Sequence, residues 1–172
     1  KIIAKQSLVL AGLDVAHKVF MPLDETLHWE PLYKDGEVAS KGETVVFLKG
    51  KAVAILKGER LALNFLQWLS GIATLTREFV DKVEGTKVRI LDTRKTTPTW
   101  RAIEKYAVRM GGGNNHRVGL FDRYLIKDNH IALAGSVSKA IQKVLAGKKS
   151  GIPLEVEVQN LNELKEVLKF PI

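Results

Sequence analysis

The segment Leu91-Asp-Thr-Arg-Lys-Thr-Thr-Pro98 decides the fold predicted for this chain. Val88–Asp92, which leads into it, has the β-branched and apolar residues of a strand between turn signals. Pro98, which ends it, suits the first turn of a helix with a periodic apolar stripe. Arg94 and Lys95 are therefore predicted to lie where a strand ends and the chain turns towards a helix.

Positive charge recurs at the same kind of position further along the chain. The predicted helix stops at the loop Gly111-Gly-Gly-Asn-Asn-His-Arg117, and a second short strand leads into Lys127. A single cation after a strand is commonly a solvated surface residue. Repeated cations and histidines favour a multiply charged anionic ligand, because like charges in a concave site repel unless an anion lies between them. Such strand ends are typical of a β/α barrel.

Composition limits the classes of function. The 27 basic and 19 acidic residues give a formal net charge of +8, which nucleic-acid binding would explain. The basic residues form no long run and do not alternate with aromatics, so phosphorylated or carboxylated small molecules explain the charge better. Zero cysteines exclude disulfides and thiol catalysis. No signal peptide and no membrane-spanning apolar run is found, and we expect a cytoplasmic enzyme without membrane contact.

The first part of the chain is predicted to be rich in short strands. Turn signals separate them, and a short amphipathic helix is expected over residues 13–23. A longer helix is expected over residues 59–83, with a bend near Ser70-Gly71. Its predicted apolar face consists of Leu61, Phe65, Leu69, Ile72 and Phe79. The predicted strands are Ser7–Gly12, Trp29–Tyr33, Thr44–Leu48 and Ala52–Leu56.

The last part of the chain is predicted to alternate helix and strand. Ser136 caps a helix that ends near residue 146, and Asn160 begins another over residues 161–168. On the strand between them, residues 153–158, Glu155 and Glu157 project from one face. If both faces of that strand are buried, the two carboxylates need polar partners, a metal or ligand hydroxyls. If it is a solvated edge strand, both are ordinary surface residues.

Several motifs resemble those of the quinolinate phosphoribosyltransferase family. The resemblance runs from about Ile3 to the last residue. The segments that carry it are Gly58-Glu-Arg60, Leu63-Asn-Phe-Leu-Gln67, Leu69-Ser-Gly-Ile-Ala-Thr74, Leu91-Asp-Thr-Arg-Lys-Thr-Thr-Pro98, Glu104-Lys-Tyr-Ala-Val108, Gly111-Gly-Gly-Asn-Asn-His-Arg-Val-Gly-Leu120 and Leu125-Ile-Lys-Asp-Asn-His-Ile131.

The resemblance implies an α/β fold with two domains. A small, hammerhead-like α/β domain is expected over residues 1–65, and the first part of a β/α barrel over residues 66–172. Because the family's chains are longer, we expect further helices upstream and further βα units downstream. The implied reaction transfers a phosphoribosyl group from phosphoribosyl pyrophosphate to quinolinate, with decarboxylation. Its products are nicotinate mononucleotide, pyrophosphate and CO2, in NAD biosynthesis.

The resemblance also assigns the site. Lys95 and Glu157 are the expected catalytic residues, with Glu157 holding ribose hydroxyls or Mg²⁺. Asp128 and His130 are expected to be structural, as a strand-end turn and its hydrogen-bond partner. The expected substrate-binding residues are Arg60, Arg94, His116, Arg117 and Lys127, whose guanidinium groups suit bidentate contacts with carboxylates.

The implied assembly is a homodimer, or a higher oligomer, that shares active sites between subunits. Arg60 is expected to enter the neighbouring subunit's site, and Trp68 to serve in packing or in the subunit interface. Two alternatives remain at this point. One is a paralogue of the same fold that is associated with molybdenum transport and acts on an unknown substrate. The other is a non-catalytic basic binding module.

Overall fold

The computed structural model describes residues 1–172, which form two compact units, residues 1–116 and residues 117–172. The first unit contains β1 (Ile2–Ile3), β2 (Leu8–Val9), α1 (Leu13–Phe20), β3 (His28–Pro31), β4 (Val38–Ala39), β5 (Thr44–Lys49), α2 (Ala52–Lys82) and α3 (Arg101–Met110). The second contains β6 (Tyr124–Ile126), α4 (Asp128–Ala134), α5 (Val137–Gly147), β7 (Leu154–Val156) and α6 (Leu161–Val167). None of the helices has the length and apolar character needed to cross a membrane.

Two small antiparallel sheets open the first unit. Strands β1, β5 and β3 form one sheet in that order, and β2 pairs with β4 in the other. Three of the four strands predicted in this region are confirmed, with bounds that differ by a few residues. Phe20 of α1, Val46 of β5 and Leu66 of α2 belong to one buried apolar cluster. The sheet and both helices therefore share a core.

The fourth predicted strand is wrong. Residues 52–56 form the start of α2, which runs unbroken from Ala52 to Lys82. A short apolar run cannot be assigned to strand or helix by periodicity alone, and here the helix that follows extends backwards through it. α2 is not broken at Ser70-Gly71, where the hydroxyl of the buried Ser70 accepts from the N–H of Ala11. The predicted helix of residues 59–83 is thus part of a longer continuous helix.

The face of α2 that packs within the first unit agrees only in part with the predicted one, since Leu69 is buried and Ile72 packs against the same cluster as predicted. Leu61 and Phe79 are 51% and 52% exposed, whereas small side chains fill much of the contact. At Gly58 an added Cβ would lie 2.7 Å from the ring of Phe20, so only glycine allows α1 to approach this closely. The buried residues of α2 are Ala54, Gly58, Ala62, Leu66, Leu69, Ser70, Ala73 and Thr76.

The carboxylate of Asp35 connects the start of α1 to α3 by hydrogen bonds. Gly12 precedes α1 with φ 97°, and its N–H and that of Leu13 donate to the carboxylate of Asp35. The hydroxyl of Tyr106 in α3 donates to the same carboxylate at 2.7 Å. Burial and this hydrogen bond raise the pKa of Tyr106, so the phenol stays a donor. α3 is thereby held against the N-terminal part of the unit.

The central segment has less regular structure than predicted. Residues 88–92 do not form a strand; only Leu91 makes an isolated parallel bridge, with Asn114. A strand needs a continuous neighbour for its hydrogen bonds, and here the pairing is limited to that point. Pro98 does not lie in the first turn of the helix either. Thr99 has φ 69°, in the left-handed region, so α3 begins only at Arg101, although it ends before Gly111 as predicted.

The second unit is built on one parallel strand pair. β6 and β7 pair in parallel, and α4 and α5 lie between them in the chain. Ile126, Ile141 and Val167 belong to its buried core. The Ser136 and Asn160 caps are confirmed, since each side chain accepts from backbone N–H groups at its helix start. A parallel pair with a helical crossover is the unit from which β/α barrels are made.

Candidate active site

A buried ion pair lies at the centre of the predicted site. Lys105 Nζ of α3 lies 2.5 Å from Asp92 Oδ1, and the two side chains are only 3% and 8% exposed. The same Asp92 oxygen accepts from the backbone N–H of His116 at 2.8 Å. Lys105 Nζ also donates to the carbonyl of His116 at 3.1 Å. The segment before Arg94 and the loop carrying His116 are thus tied to one helix.

Asn115 completes this network. With its amide oriented to suit its neighbours, the amide nitrogen donates to Asp92 Oδ2 at 2.8 Å and to the carbonyl of Lys105 at 2.9 Å. Its oxygen accepts from Arg109 Nη1 at 2.8 Å. Both carboxylate oxygens of Asp92 therefore have donors, as a buried charge requires.

The loop after Asp92 is held by two further residues of α3. Arg101 donates from Nη2 to the carbonyl of Arg94 at 3.3 Å and from Nε to the hydroxyl of Thr96 at 3.2 Å. Glu104 Oε2 accepts from the backbone N–H of Thr97 at 3.1 Å. Its other oxygen, Oε1, accepts from the indole N–H of Trp68 at 2.8 Å, which links the loop to α2. Trp68 is thereby hydrogen-bonded within its own chain, although the residue is 51% exposed.

Glu104 is buried yet ionised. Burial raises the pKa of its carboxyl, but the hydrogen bonds from Thr97 and Trp68 outweigh burial and bring the pKa below its ordinary value of 4.5. Because the pKa is lowered in the folded protein, the ionised carboxyl stabilises the fold above pH 4.5. This contribution is lost as the pH falls through the lowered pKa.

The first unit brings three predicted site residues onto this fixed backbone. Arg94 is half-buried, and its Nε is buried without a hydrogen-bond partner. Lys95 is exposed, and its N–H donates to the hydroxyl of Thr93 in a tight turn. His116 is half-buried and held through its backbone on both sides. Arg60 lies on the exposed side of α2.

The second unit carries the remaining predicted residues. Lys127 follows β6 directly, and its Nζ lies 3.6 Å from Glu157 Oε2, just past β7. Arg117 donates from Nη1 to the carbonyl of Arg123 at 3.4 Å. Glu155 lies 3.3 Å from Arg123 Nη1. The two glutamates thus have different cationic neighbours.

The two residues expected to be structural lie at the start of α4. His130 is confirmed as a hydrogen-bond partner, since its Nδ1 accepts from the N–H of Lys127 at 3.0 Å. Asp128 lies in the first turn of α4, where a carboxylate suits the helix dipole. The structure has no group of three or more His, Asp or Glu side chains that could hold a metal ion.

The residues that hold the loop had no assigned role in the sequence interpretation. Glu104 and Lys105 appeared only inside a family motif, and Asp92 only in a family motif and as the end of a predicted strand. Lys105 and Asp92 are separated by 13 positions, a spacing that follows no helix or strand period. The one available signal was the pair of adjacent opposite charges in an otherwise amphipathic helix.

Comparison with known families identifies the family to which the chain belongs. The family model for the N-terminal domain of quinolinate phosphoribosyl transferase matches residues 1–70, and that for its C-terminal domain matches residues 72–171. The chain belongs to the quinolinate phosphoribosyltransferase family. The predicted fold class, a small α/β domain followed by part of a β/α barrel, is confirmed by these matches and by solved relatives. The predicted boundary after residue 65 falls within α2 and stays a prediction.

Individual proteins that are similar to the chain have names consistent with this family. The chain is 45% identical to a probable nicotinate-nucleotide pyrophosphorylase (carboxylating) of Bacillus subtilis, over 98% of this chain and 58% of that protein. The identity is 42% to a similarly named protein of Synechocystis, over 96% of this chain and 56% of the relative. The crystal structure of NadC from Streptococcus pyogenes superposes with a TM-score of 0.91 at 44% identity, over 96% of this chain and 60% of that one. The chain therefore spans less than two thirds of the relatives it matches.

The buried pair gives a stability prediction. Lys105→Met is expected to lower the free energy of unfolding by about 3–5 kcal/mol, because it leaves the Asp92 charge buried without its partner. Lys57→Met, at an exposed position of α2, should change it by less than about 0.5 kcal/mol. Urea unfolding of the 172-residue chain measures both. Adding Asp92→Asn to Lys105→Met should recover part of the loss. Equal stability of Lys105→Met and Lys57→Met would contradict this account.

Proposed function

We propose that the protein containing this chain transfers a phosphoribosyl group from phosphoribosyl pyrophosphate to the ring nitrogen of quinolinate. The 2-carboxylate of quinolinate is lost, and the products are nicotinate mononucleotide, pyrophosphate and CO2, in NAD biosynthesis. Membership of the family supports the reaction class. The observation that carries the proposal is the loop of Arg94 and Lys95, which α3 holds at the carbonyl of Arg94, the N–H of Thr97 and the side chain of Asp92.

The charges of the substrates match these residues. Quinolinate has two carboxylates, and the guanidinium groups of Arg94 and Arg117 suit bidentate contacts that fix the orientation of the pyridine ring. Lys95 and Lys127 are compact charges suited to carboxylate or phosphate oxygens. His116, between the two arginines in sequence, serves as a hydrogen-bond donor to the substrate. Cations of this kind favour a substrate with two carboxylates over a monocarboxylate, because a cation left unpaired in a binding site is costly.

Lys95 is proposed as the catalytic cation. Lys95→Ala in the complete gene product should lower the rate of nicotinate mononucleotide formation by about 100-fold or more, because charge developing in the transition state loses a fixed partner. The fold should be unchanged, since Lys95 is exposed. Lys87→Ala, also at an exposed position, is the matched control. A fully active Lys95→Ala enzyme would refute the assignment. A wild-type protein that binds RNA and ignores quinolinate would favour the basic binding module.

Glu157 is proposed as the carboxylate beside the ribose. When pyrophosphate departs, the ribosyl carbon becomes oxocarbenium-like, and a nearby carboxylate stabilises that charge. Because no group of three or more acidic or histidine side chains is present, Mg²⁺ would be held by a carboxylate such as Glu157 together with the phosphates of the substrate, which is a usual arrangement for Mg²⁺. Bound Mg²⁺ would supply charge neutralisation for pyrophosphate. Lys127, 3.6 Å away, keeps the Glu157 side chain at the end of the strand pair.

Paired variants test this role. Glu157→Gln should lose more turnover than Glu155→Gln, and only Glu157→Gln should raise the Mg²⁺ concentration needed for half-maximal rate. The reason is that the family resemblance puts the ribose- or metal-facing carboxylate at Glu157, whereas Glu155 lies on β7 and 3.3 Å from Arg123 Nη1. Steady-state rates at several Mg²⁺ concentrations make the comparison. A larger loss in Glu155→Gln would mean that the catalytic carboxylate is two residues earlier.

We further propose a cytoplasmic homodimer in which Arg60 acts in the partner's site. The exposed face of α2 carries large apolar side chains at Leu61, Trp68, Leu75 and Phe79, each 51–56% exposed. Spacings of seven and four residues place them on one side of the helix, as a helix-packing surface requires. Arg60 adjoins this surface in sequence. In a twofold dimer each subunit would contribute its Arg60 to the active site of the other.

Subunit mixing tests the shared site. Arg60→Ala and Lys95→Ala are each expected to be inactive in the complete gene product. After unfolding and refolding together, about half the dimers should be heterodimers with one intact site of two, which gives roughly a quarter of wild-type activity. Refolding each variant alone is the control. Inactivity of the mixture, with heterodimers verified by mass spectrometry, would show that Arg60 acts within its own chain.

A further inference from the structure

One helix holds the cationic loop from both sides. α3 contacts the loop before Arg94 through Lys105 and Asp92, and after Lys95 through Glu104 and the N–H of Thr97. Arg101 bonds the carbonyl of Arg94 itself. Three polar side chains on the first two turns of α3 therefore fix the backbone that carries both cations.

Glu104 differs from the other two because it also reaches α2. Its buried carboxylate takes one N–H on each oxygen, from Trp68 of α2 and from Thr97 of the loop. Both partners are donors without acceptor capacity, so the site needs two acceptors. A glutamine at this position offers only one acceptor, and its NH₂ group would face a donor. The isosteric change Glu104→Gln therefore removes one hydrogen bond while keeping the volume of the side chain.

We propose that Glu104 is a positioning residue for substrate binding, which holds the loop of Arg94 and Lys95 in its binding conformation before the anion arrives. The inference rests on the proposed function, since quinolinate is the anion in question. A loop ordered in advance saves the entropy that binding would otherwise lose in ordering it. Loss of the Thr97 hydrogen bond therefore weakens binding and leaves the bound state, and hence the chemical step, largely unchanged.

Steady-state kinetics of the complete gene product separate positioning from mere stability. Glu104→Gln should raise KM for quinolinate by about 10-fold with kcat within about twofold of wild type, the pattern for a loss that affects substrate and transition state alike. A residue that only stabilised the fold would lower the active fraction, so kcat would fall at unchanged KM. Glu78→Gln, at an exposed position of α2, is the control and should change neither constant. Unchanged KM in Glu104→Gln overturns the proposal.

Amide hydrogen exchange provides a second test, which does not require activity. In Glu104→Gln the Thr97 N–H should exchange about 10-fold faster, because it then faces either an NH₂ group or a neutral amide oxygen, which is a weaker acceptor than a carboxylate. The Asn114 N–H, which donates to the carbonyl of Ile90 at 2.8 Å, should exchange at the wild-type rate. Unchanged exchange at Thr97 overturns the proposal. If the wild-type protein does not turn over quinolinate, the proposed function fails, while exchange at Thr97 still decides whether Glu104 holds the loop.

Discussion

The ion pair between Asp92 and Lys105 is the interaction on which the rest of the first unit's site depends. Two charges with exposures of 8% and 3% are stable in a protein interior only when each is fully paired. Here the second oxygen of Asp92 takes the Asn115 amide, and the ammonium also reaches the carbonyl of His116. Removal of one member would leave the others unsatisfied. The pair therefore fixes the relative position of two loops that share only one bridge of regular backbone pairing.

This constraint explains why the central segment can be irregular and still well defined. A complete strand would hold residues 88–92 by backbone hydrogen bonds, but only Leu91 is bridged. Hydrogen bonds from side chains of α3 hold the segment in place of the backbone hydrogen bonds that a complete strand would make. Thr99, with its left-handed backbone, turns the chain so that α3 begins three residues after Pro98 and lies beside the loop it holds. The left-handed backbone at Thr99 thus determines both where α3 begins and how the loop before it turns.

The sequence predicted the parts of this structure that depend on local signals. The Ser136 and Asn160 caps, the Gly111 stop and the strands near Leu8 and Thr44 follow from turn chemistry and periodicity within a few residues. The start of α2 and its buried face could not be obtained this way. Its contact surface uses Gly58, Ala62 and Ala73, which carry little hydrophobic signal, and close approach to Phe20 sets the rotation. As a result, the larger side chains of Leu61 and Phe79 lie on the exposed side of α2.

The candidate site divides in the same way. Arg94, Lys95 and His116 were predicted as site residues from contiguous motifs, whereas Asp92, Glu104 and Lys105 act through contacts between distant positions. No pattern in one sequence encodes such a contact, because neither partner repeats with the period of a helix or strand. The roles of the cations themselves still come from family resemblance. The structure adds the contacts from α3 that hold the backbone of the loop carrying Arg94 and Lys95.

The network also determines which charges remain for a ligand. Two carboxylates, Asp92 and Glu104, lie within or beside the loop and could have neutralised Arg94 and Lys95. Each is instead saturated by other donors: Asp92 by Lys105, His116 and Asn115, and Glu104 by Trp68 and Thr97. A carboxylate whose lone pairs are occupied attracts a further cation less strongly, and a buried guanidinium nitrogen without a protein partner is costly until an anion meets it. Because these acids accept hydrogen bonds from other donors, neither of them forms an ion pair with Arg94 or Lys95.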